Sequence, residues 1–283
     1  EAGILGVVGA GSMNPELLDH HLKKAKSLTT HPERLAVNVP LLYEKTEEQI
    51  EIALKHGVKI FITSAGSPKT WTPMLKEKGC TVIHVTSTPE LAKKCEAAGV
   101  DAVIAEGFEA GGHNGRDEIT TLVLIPQVVE AVKIPVIAAG GIGDGRGIAA
   151  ALSLGAAGVQ LGTRFLATQE SSAHIDYKKL IINSKPDSTF LMMKKVVPVR
   201  LMKNHFFDEV KKLEERGATQ EELNHLLGKG RARAGMLEGD LVNGELEAGQ
   251  IAALIKDLPT VKELTDRLLR EYEEAVKKLP STI

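Results

Sequence analysis

The residues best suited to chemistry lie in the glycine-rich segment GFEAGGHNGRDE, which contains Gly111, Gly112 and His113. Glycines beside a histidine let the backbone approach a ligand closely and leave the imidazole exposed. Because histidine titrates near neutral pH, His113 is a candidate for giving or taking a proton. A loop histidine held by hydrogen bonds for structural reasons is the alternative. The place of this loop, directly after a predicted strand, favours a functional role.

Two further glycine turns have the composition of an anion site. Gly140-Gly141 follows the apolar run 135–139, and Gly162-Thr163 follows the apolar run 158–161. Loops without large side chains expose backbone N–H groups, and such groups next to a helix N-terminus bind anions. In barrels of alternating strands and helices, a phosphate site typically lies in the loops after strands seven and eight. The two turns therefore suggest both a ligand group and its location.

Polar side chains also end other predicted strands. Glu106 stands among small residues, where a carboxylate needs partners such as polyol hydroxyls or a backbone turn. Asn38 carries an amide that donates and accepts, as contact with a planar heterocycle requires. His84 points from a strand, so a hydrogen-bonded wall histidine is favoured over a ligand contact. The role of Arg164 stays open between binding a phosphate and pairing with a carboxylate.

The elements that must position these residues repeat along the chain. An amphipathic helix, a pivot glycine and a short apolar strand recur, with pivots at Gly57, Gly79, Gly99 and Gly155. Glycine is favoured directly after a helix because it adopts positive φ easily. Continuous apolar runs are typical of buried parallel strands. Seven strands are predicted, at Ile4–Val8, Leu35–Val39, Lys59–Thr63, Thr81–Val85, Ala102–Ala105, Pro135–Ala139 and Gly158–Leu161.

This pattern predicts an α/β protein with a (β/α)8 TIM barrel. A closed barrel of this kind has eight strands. The opening residues Glu1 to Gly3 resemble the end of a helix. We therefore expect that the N-terminal first strand is missing from this chain and that the seven predicted strands are strands two to eight. An open doubly wound sheet also alternates strands and helices, but no GxGxxG follows an early strand here.

Three regions are predicted from the change of pattern along the chain. Residues 1–168 form the barrel, residues 169–258 form a mostly helical lid that contacts the substrate, and residues 259–283 form the last barrel helix. Within the lid, residues 171–186 are expected to be irregular. Helices are predicted at about 199–216, 219–227 and 248–256, and a closing helix is predicted at 261–278.

Composition excludes several classes of function. The chain has 283 residues, 43% of them hydrophobic, and a formal net charge of −2, which gives no support for nucleic acid or an anionic membrane as partner. The sequence shows no signal peptide and no long apolar run, so a cytoplasmic location is expected. Cys80 and Cys95 indicate buried free thiols. No spacing of His, Asp and Glu suggests a metal site, and no GxSxG serine is present.

Short segments spread over nearly the whole chain carry a family resemblance. They are GVVGAG (6–11), NVPLL (38–42), TSAGSP (63–68), VIHV (82–85), AEGFEAGGHNG (105–115), IPVIAAGGIGDG (134–145), GVQLGTRF (158–165), ESSAH (170–174) and GQIAALI (249–255). With these segments the chain resembles the flavin-dependent nitronate monooxygenase and enoyl-acyl-carrier-protein reductase II family. Several phosphate-binding barrels share the style of AAGGI with QLGTRF, whereas AEG-x-EAGGH together with ESSAH and AGQ is much more specific.

The resemblance implies that FMN binds at the mouth of the barrel of residues 1–168. It implies that His113 is the catalytic residue. It also implies a flavin-contacting segment on the N-terminal first strand. The FMN phosphate would lie on Gly140, Gly141, Gly162 and Thr163, and the isoalloxazine and ribityl parts would be lined by Asn38, His84, Glu106, Gly111 and Gly112.

Two reactions share these residues in the family. The reductases take a hydride from NAD(P)H and pass it to the β-carbon of an enoyl thioester in fatty-acid synthesis, with protonation at the α-carbon. The monooxygenases oxidise alkyl nitronates with O2. The segments NVPLL, TSAGSP and LGKGRARAGMLEGDL favour the reductase.

The reductase reading implies NAD(P)H as co-substrate and a small-molecule or acyl-carrier-protein-bound thioester as substrate. A homodimer is a family-level expectation. A non-redox phosphate-binding barrel enzyme, which would be colourless when purified, is the alternative from another class of function.

Overall fold

The fold is built on seven parallel strands joined by helices. The computed structural model describes residues 2–11 and 13–279. The strands of this sheet are β1 (Gly6–Gly9), β2 (Leu35–Pro40), β3 (Ile60–Ser64), β4 (Thr81–Thr86), β5 (Ala102–Glu106), β7 (Val136–Ala139) and β8 (Gly158–Gln160). Their order in the sheet is β1-β2-β3-β4-β5-β7-β8. A second sheet has the order β6-β10-β9 and contains β6 (Gly112–His113), β9 (Thr189–Met192) and β10 (Val199–Met202).

Helices fill most of the chain between the strands. They are α1 (Pro15–Leu28), α2 (Thr46–Lys55), α3 (Thr72–Glu77), α4 (Pro89–Ala97), α5 (Thr121–Ala131), α6 (Gly145–Ser153), α7 (Thr163–Leu166), α8 (Ile175–Ile182), α9 (His205–Glu215), α10 (Gln220–Leu227), α11 (Arg231–Met236) and α12 (Val261–Lys277). Short 3-10 helices occupy Pro32–Arg34 and Gln250–Leu254. None of the helices in the described part of the chain has the length and apolar character needed to cross a membrane.

The strand order confirms the predicted α/β, TIM-barrel-like class. The parallel strands follow one another across the sheet in chain order. A doubly wound sheet instead reverses its direction at a switch point, so that alternative is wrong. All seven predicted strands are present, with bounds shifted by one or two residues. A further strand ahead of Ile4 stays a prediction.

The pivot glycines have the backbone conformation that the sequence pattern predicted. Gly57, Gly79, Gly99 and Gly155 have φ values of +75°, +69°, +83° and +94°. Each follows a helix and precedes the next strand, so it turns the chain where a side chain would be strained. These glycines explain the short and regular helix-to-strand connections.

The chain divides into two compact units, the first containing residues 1–105 and 127–137. Helix α1 begins at Pro15 because the side chain of Asn14 accepts a hydrogen bond from the backbone N–H of Leu17. Leu18 and Leu22, one turn apart on α1, are fully buried, as is Phe61 of β3. The core of this unit therefore lies between the parallel strands and the helices that follow them.

The second unit contains residues 106–126 and 138–283. One apolar cluster of this unit includes Leu201 of β10 together with Phe206 and Phe207 of α9. Another includes Tyr177 of α8 and Leu246. These clusters give the segment after β8 its own core.

Two of the helices predicted in the second unit are confirmed. Helix α10 begins after Thr219, whose side chain accepts from the backbone of Glu222, while the Glu222 carboxylate accepts from the backbone of Thr219. The same reciprocal pair, Thr260 with Glu263, starts α12. This capping box satisfies N–H groups that would otherwise lack partners.

The helix predicted at 199–216 is wrong in its first part. Val199–Met202 forms β10, which pairs with β9 on one side and with β6 on the other. The helix starts only at His205, where the side chain of Asn204 accepts from the backbone N–H of Phe207. Pairing with distant strands outweighs the local helical pattern at Val199 to Met202.

Two other expectations for the lid are also wrong. Residues 171–186 contain α8, which begins where Nδ1 of His174 accepts from the backbone N–H of Asp176 at 3.2 Å. The α-helix predicted at 248–256 is only the short 3-10 helix Gln250–Leu254. The backbone of Ile255 is extended, with φ −85° and ψ +121°, so the helical turn ends before it.

Candidate functional site

His113 is exposed on a short strand with firm backbone support. In the β6–β10 pair, His113 faces Val199 and Gly112 faces Arg200. The buried amide of Asn114 donates to the carbonyls of Ala110 and Gly112, both at 2.9 Å. Bonds on both sides of His113 hold the loop in one conformation. The imidazole is therefore accessible without being on a loose segment.

Arg200 supports the same loop from β10. The residue is only 2% exposed, and Nε and Nη2 of its guanidinium donate to the carbonyl of Phe108 at 3.1 and 2.7 Å. The guanidinium carbon lies 4.7 Å from the centre of the Phe108 ring. Burial lowers the pKa of Arg200 from its ordinary value. The sequence gives no sign of this role, because a single arginine in VPVRLM looks like an exposed residue.

Glu109 and Thr121 connect the His113 loop to the turn after β7. The carboxylate of Glu109 accepts from the backbone N–H of Thr121 at 2.9 and 3.1 Å and lies 2.9 Å from its hydroxyl. The same hydroxyl lies 2.9 Å from the carbonyl of Gly140. A Cβ on Gly140 would stand 2.6 Å from the carbonyl oxygen of Gly107. The backbones of Gly107 and Gly140 therefore lie so close together that only glycine, which has no Cβ, fits at position 140.

The segment 248–250 joins the His113 loop to the turn after β8. The backbone N–H of Gly249 donates to Oγ1 of Thr163 at 3.0 Å, and that of Gln250 donates to the carbonyl of Glu109 at 2.9 Å. A Cβ on Gly111 would lie 2.5 Å from the backbone nitrogen of Gly249. The sequence predicts no site residue here, although the segment AGQ is part of the family resemblance.

The turns after β7 and β8 have the properties expected of an anion site. Gly140 and Gly141 have φ values of +93° and +69°. A Cβ on Gly162 would meet no atom within 4 Å, and Gly162 directly precedes α7. Within the described part of the chain, the N–H groups of Gly141, Gly162 and Thr163 donate no hydrogen bond. Free donors and open space therefore fit a phosphate group such as that of FMN.

Glu106 ends β5 without a partner. No hydrogen bond or ion pair to its carboxylate is found among residues 2–11 and 13–279. Loss of solvation raises the pKa of Glu106 to about 7. A half-buried carboxyl group of this kind is suited to hydroxyl groups of a ligand, since these both donate and accept.

Asn38 and His84 belong to the other compact unit, where they lie on the parallel strands β2 and β4. The amide nitrogen of Asn38 donates to the carbonyl of Ile62 at 3.1 Å, and it lies 3.3 Å from the hydroxyl of Ser64. Nδ1 of His84 lies 2.6 Å from Oγ1 of Thr63. His84 is buried, and loss of solvation lowers its pKa to about 4. Its imidazole is therefore neutral, and its ring orientation is fixed by Thr63.

Arg164 is not part of the anion site. Its Nη1 pairs with Asp257 at 3.1 Å, and Nη2 donates to the carbonyls of Ala167 and Asp257. Asp257 also pairs with Arg267 at 2.7 Å. These three charged residues line a cavity of about 450 Å³ beside α12. Because its charges already have partners, this cavity is a poor candidate for the flavin site. The open question about Arg164 is resolved in favour of a carboxylate partner.

A sequence profile described as nitronate monooxygenase matches residues 33–271, which is most of the chain. The chain belongs to the nitronate monooxygenase family. The family and its relatives are flavin-dependent oxidoreductases, so the chain is an enzyme of that class.

Individual members of the family resemble the chain over nearly its full length. A Rhodococcus jostii dehydrogenase of the CoA thioester 5-hydroxy-7a-methyl-1-oxo-octahydro-1H-indene-4-carboxyl-CoA is 32% identical over 98% of this chain and 87% of its own. FabK from Thermotoga maritima is 39% identical, with a TM-score of 0.91 over 98% of this chain and 88% of its own. Nitroalkane oxidase from Streptomyces ansochromogenes is 32% identical, with a TM-score of 0.84 over 99% of this chain and 91% of its own.

Proposed function

We propose that this protein is an FMN-dependent reductase of enoyl thioesters that takes its hydride from NAD(P)H. The observation that carries the proposal is the 39% identity to FabK over 98% of the chain. FabK is an enoyl-acyl-carrier-protein reductase II. The Rhodococcus relative supports the substrate class, since its name also describes an acyl thioester.

We assign the FMN phosphate to the turns after β7 and β8. Gly140, Gly141, Gly162 and Thr163 would hold it, because three of these residues have free N–H groups in the described structure. A phosphate carries strong acceptor oxygens, and charge-assisted bonds from backbone N–H groups suit it. When bound, FMN would supply the transfer of a hydride from NAD(P)H to the β-carbon of the substrate.

Five other residues would line the ring and the ribityl chain. Gly111 and Gly112 let the backbone come close, while the carboxyl group of Glu106 can exchange hydrogen bonds with hydroxyls. Asn38 and His84 would contact polar edges of the ring. The neutral imidazole of His84 has one nitrogen engaged by Thr63 and the other available to a ligand.

His113 would hold the proton that the reaction needs. Its exposed imidazole is positioned by β6 and would donate a proton from a ring nitrogen to the α-carbon of the thioester. Residues 169–258 would form the lid that contacts the acyl group, on the barrel of residues 1–168, with residues 259–283 closing that barrel. The substrate would be a free or carrier-bound thioester, and a homodimer is part of the proposal.

Nitronate monooxygenase activity is the second candidate. The family profile and the 32% identity to the Streptomyces nitroalkane oxidase favour it. In that reaction His113 would act as a base or as the partner of the nitronate anion. Membership in a family of oxidoreductases counts against the third alternative, a non-redox phosphate-binding enzyme.

Anaerobic turnover separates the two reactions. We expect purified, FMN-loaded protein to oxidise NAD(P)H only when crotonyl thioester is added. O2 uptake driven by an alkyl nitronate, with NAD(P)H consumption indifferent to the thioester, would instead identify the monooxygenase. The exposed His225 supplies a matched control: H113A should lose turnover while still binding FMN, and H225A should keep it. Full turnover by H113A would overturn the assignment of His113.

A further inference from the structure

A second chemical feature lies beside His113, on the segment Glu245–Glu247. The backbone N–H of Met202, on β10, donates to the carbonyl of Leu246 at 2.8 Å, and Leu201 forms an antiparallel bridge with Glu247. Strand β10 also pairs with β6, which contains His113. The segment Glu245–Glu247 and β6 are therefore both fixed to the same strand.

The carboxylate of Glu247 packs against the residue that precedes His113. A Cβ on Gly112 would stand only 2.6 Å from Oε2 of Glu247. Gly112 also has a φ of +77°, which a side chain rarely adopts. The backbone beside His113 thus leaves room for a carboxylate group, and Glu247 fills that room.

Neither glutamate has a strong partner. Within the described residues, no hydrogen bond or ion pair engages either carboxylate, and Glu245 is only 7% exposed. Loss of solvation, together with the charge of Glu247, raises the pKa of Glu245 to about 7, and loss of solvation raises that of Glu247 to about 7. Two such carboxyl groups share protons near neutral pH rather than ionise together.

The charged and titratable groups around the pair are few. His113 of β6 and Arg231 of α11 both favour the ionised form of Glu245. Tyr177 of α8 donates its hydroxyl to the backbone carbonyl of Glu247 at 2.5 Å, and its phenol stays protonated because burial raises its pKa. Val199 opposes His113 and Leu201, two residues further on β10, opposes Glu247, so the side chains of His113 and Glu247 lie on the same face of this sheet.

We propose that Glu245 and Glu247 form a proton-holding pair that resupplies His113 after each turnover. The inference rests on the proposed role of His113 as proton donor. A carboxyl O–H of the pair gives its proton, relayed by water, to the imidazole that the reaction has left neutral, and the resulting carboxylate regains a proton from solvent. Glu245 and Glu247 are thus positioning residues, which act on the substrate only through His113.

The first test compares the initial turnover with repeated turnover. In E245Q and E247Q the first reduction of thioester should keep its rate, because the first proton comes from His113 itself in the proposed reaction. We expect kcat at neutral pH to fall about tenfold with KM unchanged, since proton transfer is worth at least that factor. E238Q supplies the matched control, because Glu238 is an exposed glutamate paired with Arg233. It should behave as the unaltered protein.

The second test observes the carboxyl groups directly. Infrared difference spectra of the protein without substrate should show a protonated-carboxyl band that titrates near pH 7. That band should lose intensity in E247Q and persist in E238Q. E247D keeps a carboxyl group and should retain both the band and part of the turnover, which guards against a folding defect in E247Q.

The outcomes separate this inference from the proposed function. Loss of turnover in H113A with unchanged pH profiles in both E245Q and E247Q would overturn the proton-holding pair and leave the proposed function intact. Full turnover in H113A would overturn both. Equal slowing of the first and later turnovers in E247Q would indicate a structural role alone, and would also overturn the inference.

Discussion

Replacement of Gly162 by alanine tests the anion site without disturbing the fold. Gly162 has a negative φ of −99° and open space around the position of a Cβ. Alanine is about 0.5–1 kcal/mol poorer than glycine as an N-cap, but it lowers the entropy of the unfolded chain by a similar amount. We therefore expect the free energy of unfolding to change by less than about 0.5 kcal/mol.

The effect on FMN should be much larger. The open space beside Gly162 is where a phosphate would approach its free N–H group. A methyl group there would displace the phosphate and remove one charge-assisted hydrogen bond, at a cost of about 1.5–3 kcal/mol. The Kd for FMN should accordingly rise about 10- to 150-fold. Titration of the apoprotein, followed by flavin fluorescence at fixed ionic strength, measures this change.

Gly158 provides the matched control. It stands at the other end of β8, and a Cβ there would also meet no atom within 4 Å. G158A should bind FMN as tightly as the unaltered protein. If the Kd of G162A for FMN also changed by no more than about twofold, the phosphate would not lie on Gly162. A tenfold change in Kd corresponds to about 1.4 kcal/mol, so a twofold change is well below the expected effect.

Three further predictions concern stability. As pH falls from 6.5 to 4, the unaltered protein should lose up to about 3 kcal/mol of unfolding free energy relative to H84Q, measured by urea titration. The reason is that His84 takes up a proton in the unfolded chain, whereas in the folded protein burial lowers its pKa to about 4. A difference in unfolding free energy between the two proteins that stays constant with pH would refute this. G140A should be destabilised by about 2–4 kcal/mol, because φ is +93° and its Cβ would meet a backbone carbonyl; an unchanged urea midpoint would contradict the crowding. Y177F should lose about 1–3 kcal/mol in thermal melts, because the carbonyl of Glu247 loses its donor, and a loss below 0.5 kcal/mol would show that the bond contributes little.

The parallel strands were predictable because their signals are local. A helix, a pivot glycine such as Gly57 or Gly155 and an apolar run stand next to one another in the sequence, and the positive φ of each pivot follows from that order. The caps of α10 and α12 are local as well, since Thr219 and Thr260 act within one turn. Such features need no knowledge of the rest of the chain.

Strand β10 could not be predicted in the same way. Val199–Met202 becomes a strand because it pairs with His113 and Gly112, far earlier in the chain, and with β9. The burial of Arg200 is a consequence of that pairing. No local pattern contains this information, so the helical periodicity of the following residues extended the predicted helix too far.

The sequence points to the residues that we propose face the ligand, and it does not point to the residues that support them. His113 and the glycine turns have distinctive local composition, and the family resemblance covers them. Glu245 and Glu247 look like exposed charges in the segment GELEAGQ, and only tertiary packing buries Glu245 and half-buries Glu247. The hydrogen bonds of Gly249 and Thr121, which join the loops, likewise depend on distant partners.

We propose that this protein reduces an enoyl thioester with a proton from His113. The most direct test of this claim is an anaerobic reaction of FMN-loaded protein with NAD(P)H and crotonyl thioester in D2O, followed by mass spectrometry of the product. We predict one saturated thioester for each NAD(P)H consumed, with one deuterium at the α-carbon, and loss of this product in H113A. Unchanged crotonyl thioester after NAD(P)H is consumed, or equal product formation by H113A, would contradict the account.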